Sequence, residues 1–91
     1  MPKQAIVNVP AATWTELTDS DVTAITFQNR SNGYVDVVGT DGTTPTSANG
    51  VRYDSGQGEQ NTALSDIFPG VSATRVFAYS PVFVQVFVSH A

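Results

Sequence analysis

The fold class is decided by residues 23–28, which read Thr-Ala-Ile-Thr-Phe-Gln and alternate polar or small side chains with apolar ones. A period of two is typical of a β-strand that buries one face. Residues 29–33, Asn-Arg-Ser-Asn-Gly, have the composition of a turn, and residues 34–39 are again strand-like. We therefore predict a β-hairpin over residues 22–39.

Similar strand-like patterns recur along the rest of the chain. Further short strands are predicted at residues 4–9, 14–17, 51–54, 74–79 and 82–88, with polar connections at 40–50, 55–62 and 80–81. Residues 63–68, followed by Pro69 and Gly70, predict at most one helical turn. The expected fold is all-β: a small antiparallel β-sandwich or barrel of six to seven short strands.

The length of 91 residues predicts one β domain over residues 1–91, in which residues 1–12 are either an extended N-terminal arm or include the first strand. The apolar stretch 5–9 is shorter than a secretory signal core and far shorter than a membrane span. We therefore expect synthesis and folding in a cytoplasm and no membrane partner.

Charge and cysteine content exclude several function classes. Charged residues make up 13% of the chain, the net charge is −4, and its four cations are scattered: Lys3, Arg30, Arg52 and Arg75. Nucleic acid is therefore not an expected partner. With no cysteine and a single histidine, disulfides, cysteine–metal sites and multi-histidine metal sites are ruled out. We expect no metal and no cofactor.

His90 is the one side chain whose ordinary pKa lies near neutrality, and it is the penultimate residue. A Ser-His-Asp site would need a carboxylate to hold it and a serine as nucleophile. We predict instead a frayed or strand-end imidazole, whose replacement by alanine changes stability by less than about 0.5 kcal/mol.

The arrangement of the carboxylates does not indicate a catalytic or calcium-binding site. Residues 19–21 (Asp-Ser-Asp) and the set Asp54, Glu59 and Asp66 match no calcium-loop spacing and are expected in turns and caps. Residues 56–58, Gly-Gln-Gly, lack the remaining residues of a nucleotide-binding loop and predict a turn. The expected protein is not an enzyme.

The last strand carries the main candidate for an interface. Valines occupy positions 82, 84, 86 and 88, so Phe83, Gln85 and Phe87 face the other way. Such a strand lies within a closed barrel layer, presents its second face to another chain, or is covered by residues 63–70. Trp14, between two threonines, is a further candidate contact. Because a chain this small also gains stability from a partner, we expect a homo-oligomer.

Several short phrases resemble small virion proteins of tailed bacteriophages: residues 25–31, 56–59, 64–70 (Leu-Ser-Asp-Ile-Phe-Pro-Gly), 75–80 and 86–91. Among these the chain looks most like capsid decoration (cement) proteins. The resemblance implies a β-rich protein, with a trimer as the first expectation, that is located in the virion and clamps the major capsid protein from outside. It transfers no residue role. The alternative is a head spike, neck or tail-fibre module that binds carbohydrate or a receptor.

Overall fold

The computed structural model describes residues 2–46 and 50–91 as two antiparallel four-stranded sheets that form a sandwich. The strands are β1 (Lys3–Val9), β2 (Thr15–Glu16), β3 (Ala24–Asn29), β4 (Val35–Thr40), β5 (Val51–Tyr53), β6 (Gly58–Ala63), β7 (Arg75–Tyr79) and β8 (Val84–His90). One helical turn, α1 (Leu64–Ile67), follows β6. The predicted all-β fold with a single helical turn is therefore confirmed, with eight described strands.

The strands are ordered β1-β8-β3-β6 in the first sheet and β2-β7-β4-β5 in the second. Among the described strands, β4 and β5 are the one consecutive pair that shares a sheet, so the chain otherwise crosses between the sheets at each connection. Inward-facing valines of β8 and β4 meet Phe27 and Leu64 in the core between the sheets. This arrangement buries one face of each sheet and leaves the two opposite faces outside.

The hairpin predicted over residues 22–39 is wrong, because β3 lies in the first sheet and β4 in the second. The turn between them is an arch held by Asn29, a fully buried side chain. Its Nδ2 donates hydrogen bonds to the carbonyls of Gly33 at 2.7 Å and Tyr53 at 3.2 Å, and its Oδ1 accepts from the Ser31 amide at 3.0 Å. These bonds satisfy the polar groups of the crossing inside the sandwich.

The N-terminal segment is a strand of the first sheet and not a free arm. All seven residues of β1 pair with β8 in one continuous register, from Lys3 opposite His90 to Val9 opposite Val84. The alternation in residues 4–9 matches this pairing, because Val9 is buried while Gln4 and Asn8 face outward.

One of the two long predicted connections differs from the structure. Residues 58–62, expected in a polar connection, belong with Ala63 to edge strand β6, whose position at the rim of the sandwich accounts for its polar sequence. The loop predicted over residues 40–50 is irregular at 41–46, and residues 47–49 lie outside the described part of the chain.

The helical turn fills the end of the core. Leu64 is buried, and the ring of Phe68 packs where a side chain at Gly39 would lie. A Cβ atom on Gly39 would also come within 2.8 Å of Ala73 Cβ. Glycine at this position of β4 is therefore required by the close approach of the helical segment.

Candidate interaction surface

The exposed side of the first sheet carries no charged side chain at the described strand positions that face outward. Eight of these residues are called here the outer face: Gln4, Ile6, Asn8, Thr26, Gln28, Gln85, Phe87 and Ser89. Arg30, immediately after β3, and Glu59 of β6 are charged residues at its border. Amides, hydroxyls and two apolar side chains therefore form a neutral surface across three strands.

Apolar side chains lie at the centre of the outer face, and amides surround them. Ile6 is directly opposite Phe87, which in turn is opposite Gln28. Gln85 Nε2 donates a hydrogen bond to Asn8 Oδ1 at 3.1 Å across the β1–β8 pair. Ile6 is 40% exposed, whereas Phe87 is half-buried by its neighbours. The surface thus presents apolar contact area beside oriented amide groups.

Three of the four predicted interface residues lie on this side of the molecule. Gln85 and Phe87 belong to the outer face, and Phe83, just before β8, is 56% exposed. The alternative that residues 63–70 cover the phenylalanines is wrong, because Phe68 packs against Gly39 of the second sheet. The closed-barrel alternative is also wrong, since the strands form two separate sheets.

Trp14 lies on the opposite side of the sandwich from Phe87. It precedes β2 in the second sheet, and its ring is 5.3 Å from the ring of Tyr79 at an interplanar angle of 42°. Trp14 is half-buried by this packing. The four predicted interface residues therefore do not form one surface.

The outer side of the second sheet differs by carrying ion pairs. Arg52 Nε lies 3.1 Å from Asp36 Oδ1, and Arg75 Nη1 lies 2.8 Å from Glu16 Oε2. Hydrogen bonds to Glu16 and Asp21 raise the pKa of Arg75, and a hydrogen bond to Asp36 raises the pKa of Arg52. The absence of charge is therefore a property of one side of the molecule, not of the whole surface.

A groove of about 670 Å³ extends from Phe87 to the β3–β6 edge. Its shape follows from Gly58, whose missing side chain lets β6 approach the backbone of Phe27, and from an irregular register opposite Ile25 and Phe27. Polar groups line much of it: Thr26, Gln28, Glu59, Gln60 and Thr62. Its size is within the range of small-ligand sites.

Glu59 connects this groove to the core. Its carboxylate accepts hydrogen bonds from Tyr53 Oη at 3.0 Å and from Thr62 Oγ1 at 3.2 Å. Burial, together with Glu59, raises the pKa of the Tyr53 phenol above its ordinary value. The sequence alone predicts Glu59 only as a turn carboxylate, because its partner Tyr53 comes from the other sheet.

His90 is a strand-end residue and is buried, with 8% of its surface exposed. The Asp19 amide donates to His90 Nε2 at 3.2 Å, so the ring proton is on Nδ1, 2.9 Å from the Ala91 carbonyl. The imidazole thus bonds backbone groups. The prediction of a strand-end residue is confirmed. The prediction that His90→Ala behaves as an exposed substitution assumed an exposed ring, which is wrong because the ring is buried.

The acidic residues after β2 form ion pairs. Asp19 Oδ1 lies 2.8 Å from Lys3 Nζ, and Asp21 Oδ1 lies 2.8 Å from Arg75 Nε. Hydrogen bonding to Lys3 lowers the pKa of Asp19. Within residues 2–46 and 50–91, no three acidic or histidine side chains are placed to hold a metal ion. Nor does the described chain contain a helix of sufficient length and apolarity to cross a membrane.

No family model matches this chain, and no curated protein or solved structure matches it. The candidate surface therefore rests on its own geometry and composition.

Proposed function

We propose that this protein is a non-enzymatic structural protein of a phage virion, a capsid decoration protein that binds the outer surface of the major capsid protein lattice as a homo-oligomer. The observation that supports this proposal best is the neutral outer face, with Ile6 and Phe87 at its centre and Phe83 exposed beside it. The resemblance of short phrases to small virion proteins favours a phage head as the partner.

A neutral face suits a permanent protein contact. Protein interfaces are depleted of charge at their centres, because burying an unpaired charge costs several kcal/mol. Amides such as Gln28 and Gln85 offer both donors and acceptors, so they can pair with backbone groups of a partner. Low charge also means that the contact does not depend on ion pairs. Many copies on a lattice then act together, so that modest individual contacts persist.

The direct test is the position of the protein in the virion. Cryo-electron microscopy of phage particles is expected to show its density over junctions between capsid subunits. Density at the neck or tail, or none on the particle, would contradict the proposal. Binding to heads assembled without it is also expected to change little between about 50 and 500 mM salt, because screening weakens charge-driven contacts.

A second candidate function, recognition of a neutral saccharide, is favoured by the groove beside Phe87. Its lining combines an aromatic ring with amide and hydroxyl groups and the Glu59 carboxylate, which suit the apolar faces and hydroxyls of sugars. A glycan-binding screen tests it, with Gln28→Ala expected to weaken any binding that occurs in the groove. Clear binding that Gln28→Ala abolishes would support a spike or tail-fibre role. If no glycan binds, the saccharide proposal is rejected and only the decoration proposal remains.

A further inference from the structure

The four edge strands of the described sheets differ in how they are protected against pairing with another chain. Proteins usually protect an edge by shortness, charge, proline or a bulge. β2 has two residues and includes Glu16, and β5 has three and includes Arg52. β6 has an irregular register, and its residue Asn61 has a φ of 44°. Each of these three edges thus has at least one such device.

β1 has such devices only at its ends and none between Gln4 and Val9. It has seven residues and pairs with β8 without a register shift. No charge or proline occurs between Gln4 and Val9, and Pro2 and Pro10 stand outside the strand. The one charged residue of β1 is Lys3, its first residue, whose Nζ forms an ion pair with Asp19 Oδ1 at 2.8 Å. β1 is therefore a long and regular edge whose residues 4–9 carry no charge.

The hydrogen-bonding direction of each β1 residue follows from the ladder beside it. The Arg30 amide donates to the Gln85 carbonyl at 2.9 Å, so Gln85 directs its backbone groups toward β3. Because these groups alternate sides along a strand, Val86 directs its own toward Val7 of β1. The β1 residues whose backbone groups face away from the sheet, without a partner in the described chain, are Gln4, Ile6 and Asn8.

We propose that β1 pairs antiparallel with β1 of a second copy of this chain, about a two-fold axis at Ile6. The two first sheets then become one eight-stranded sheet. Ile6 pairs with Ile6 of the second copy, and Gln4 pairs with Asn8 of the second copy. All three residues with outward backbone groups thus exchange hydrogen bonds with the copy.

The side chains support a second copy as the occupant, because this register is self-complementary. Gln4 meets an asparagine and Ile6 meets an isoleucine, while on the inner side Ala5, exposed in the single chain, meets Val7. No charge faces a like charge. The pairing also joins the two outer faces into one continuous neutral surface, whereas any other strand would have to supply this same sequence of partners by coincidence. The trimer implied by the resemblance would require a different contact.

Mass in solution tests the pairing. Light scattering after size exclusion is expected to give twice the 9.6 kDa chain mass for the unaltered protein. Ile6→Lys is expected to give monomers, because two like charges then face each other at the axis. Val51→Lys is the matched control: Val51 is 42% exposed on edge strand β5, against 40% for Ile6, and this variant remains a dimer. Circular dichroism checks that both variants are folded.

The register has its own test, which does not depend on Ile6→Lys remaining folded. In the proposed pairing Ala5 and Val7 of the two copies are a non-hydrogen-bonded pair with Cα atoms about 4.5 Å apart, a distance that a disulfide spans. The chain has no cysteine of its own. A mixture of Ala5→Cys and Val7→Cys chains is expected to cross-link, and neither alone is. A monomeric or trimeric unaltered protein, a dimeric Ile6→Lys, or cross-linking of Ala5→Cys alone would overturn the proposal.

Discussion

Asn29 donates a hydrogen bond from Nδ2 to the Gly33 carbonyl at 2.7 Å, across the arch that carries the chain from one sheet to the other. The same amide binds the Tyr53 carbonyl and the Ser31 amide, so one side chain joins the arch to β5. Since Asn29 is fully buried, water does not replace these bonds if the side chain is removed. Asn29 is therefore the buried side chain that joins this arch to β5.

Replacing Asn29 by alanine is expected to lower the free energy of unfolding by about 2–4 kcal/mol, because buried partners are left unsatisfied. Urea unfolding followed by circular dichroism measures this loss. Asn32→Ala is the control, since Asn32 is exposed in the same arch, and it is expected to change stability by less than about 0.5 kcal/mol. Equal stability of the two variants would show that the arch does not depend on the buried amide.

Replacing His90 by alanine is expected to cost about 1–3 kcal/mol, more than its position near the C-terminus suggests. The variant loses the acceptor of the Asp19 amide and the packing of a buried ring. Thermal unfolding compares it with Ser89→Ala, a neighbour that faces outward and is half-buried. A loss no larger than that of Ser89→Ala would contradict the role assigned to His90.

The strands themselves were predictable from the sequence, because alternation is a local property. Residues 23–28 and 74–79 contain their own evidence of a buried face, and the helical turn at 63–68 is marked by Pro69 and Gly70. What a strand pairs with is not local. The composition of residues 29–33 suits a hairpin turn and a sheet-crossing arch equally, and the burial of Asn29 distinguishes them only after the fold is known.

The candidate surface was predictable only in part, for the same reason. The two-faced pattern of residues 82–88 predicted Phe83, Gln85 and Phe87, since their spacing is local to one segment. Ile6 and Gln28 join the same surface through the pairing of β8 with β1 and β3. Trp14 lies on the other side of the sandwich because β2 belongs to the second sheet. The local sequence, Thr13 and Thr15 on either side of Trp14, does not indicate to which sheet the segment belongs.

The Tyr53 phenol makes stability depend on pH in the alkaline range. Burial and Glu59 raise its pKa above the ordinary value of about 10, so the folded state retains its proton while the unfolded state loses it. The contribution of the protonated Tyr53 phenol to the free energy of unfolding is present in full below about pH 10 and is lost as the pH rises above that value. Tyr53→Phe is expected to remove this part of the decline between about pH 10 and 11.5. Tyr34→Phe is the control: it retains Tyr53 and is therefore expected to retain this decline in stability. Thermal unfolding at each pH measures the difference between the two variants.

Replacing Phe87 by aspartate tests the proposal that the outer face binds the capsid. Phe87 is half-buried there, so the variant is expected to fold, but a carboxylate at the centre of a closed contact is left without a partner. Cosedimentation with phage heads assembled without the protein is expected to show at least about tenfold weaker binding, equivalent to about 1.4 kcal/mol.

Val38→Asp is the matched control for Phe87→Asp, since Val38 is a half-buried apolar residue that faces outward on β4 of the second sheet. It is expected to bind heads as the unaltered protein does. If Phe87→Asp does not fold, Phe87→Gln removes the ring without a charge and is expected to weaken binding in the same direction. Full binding by folded Phe87→Asp, or loss of binding by Val38→Asp alone, would move the contact to the other sheet, where Trp14 and Tyr79 pack together.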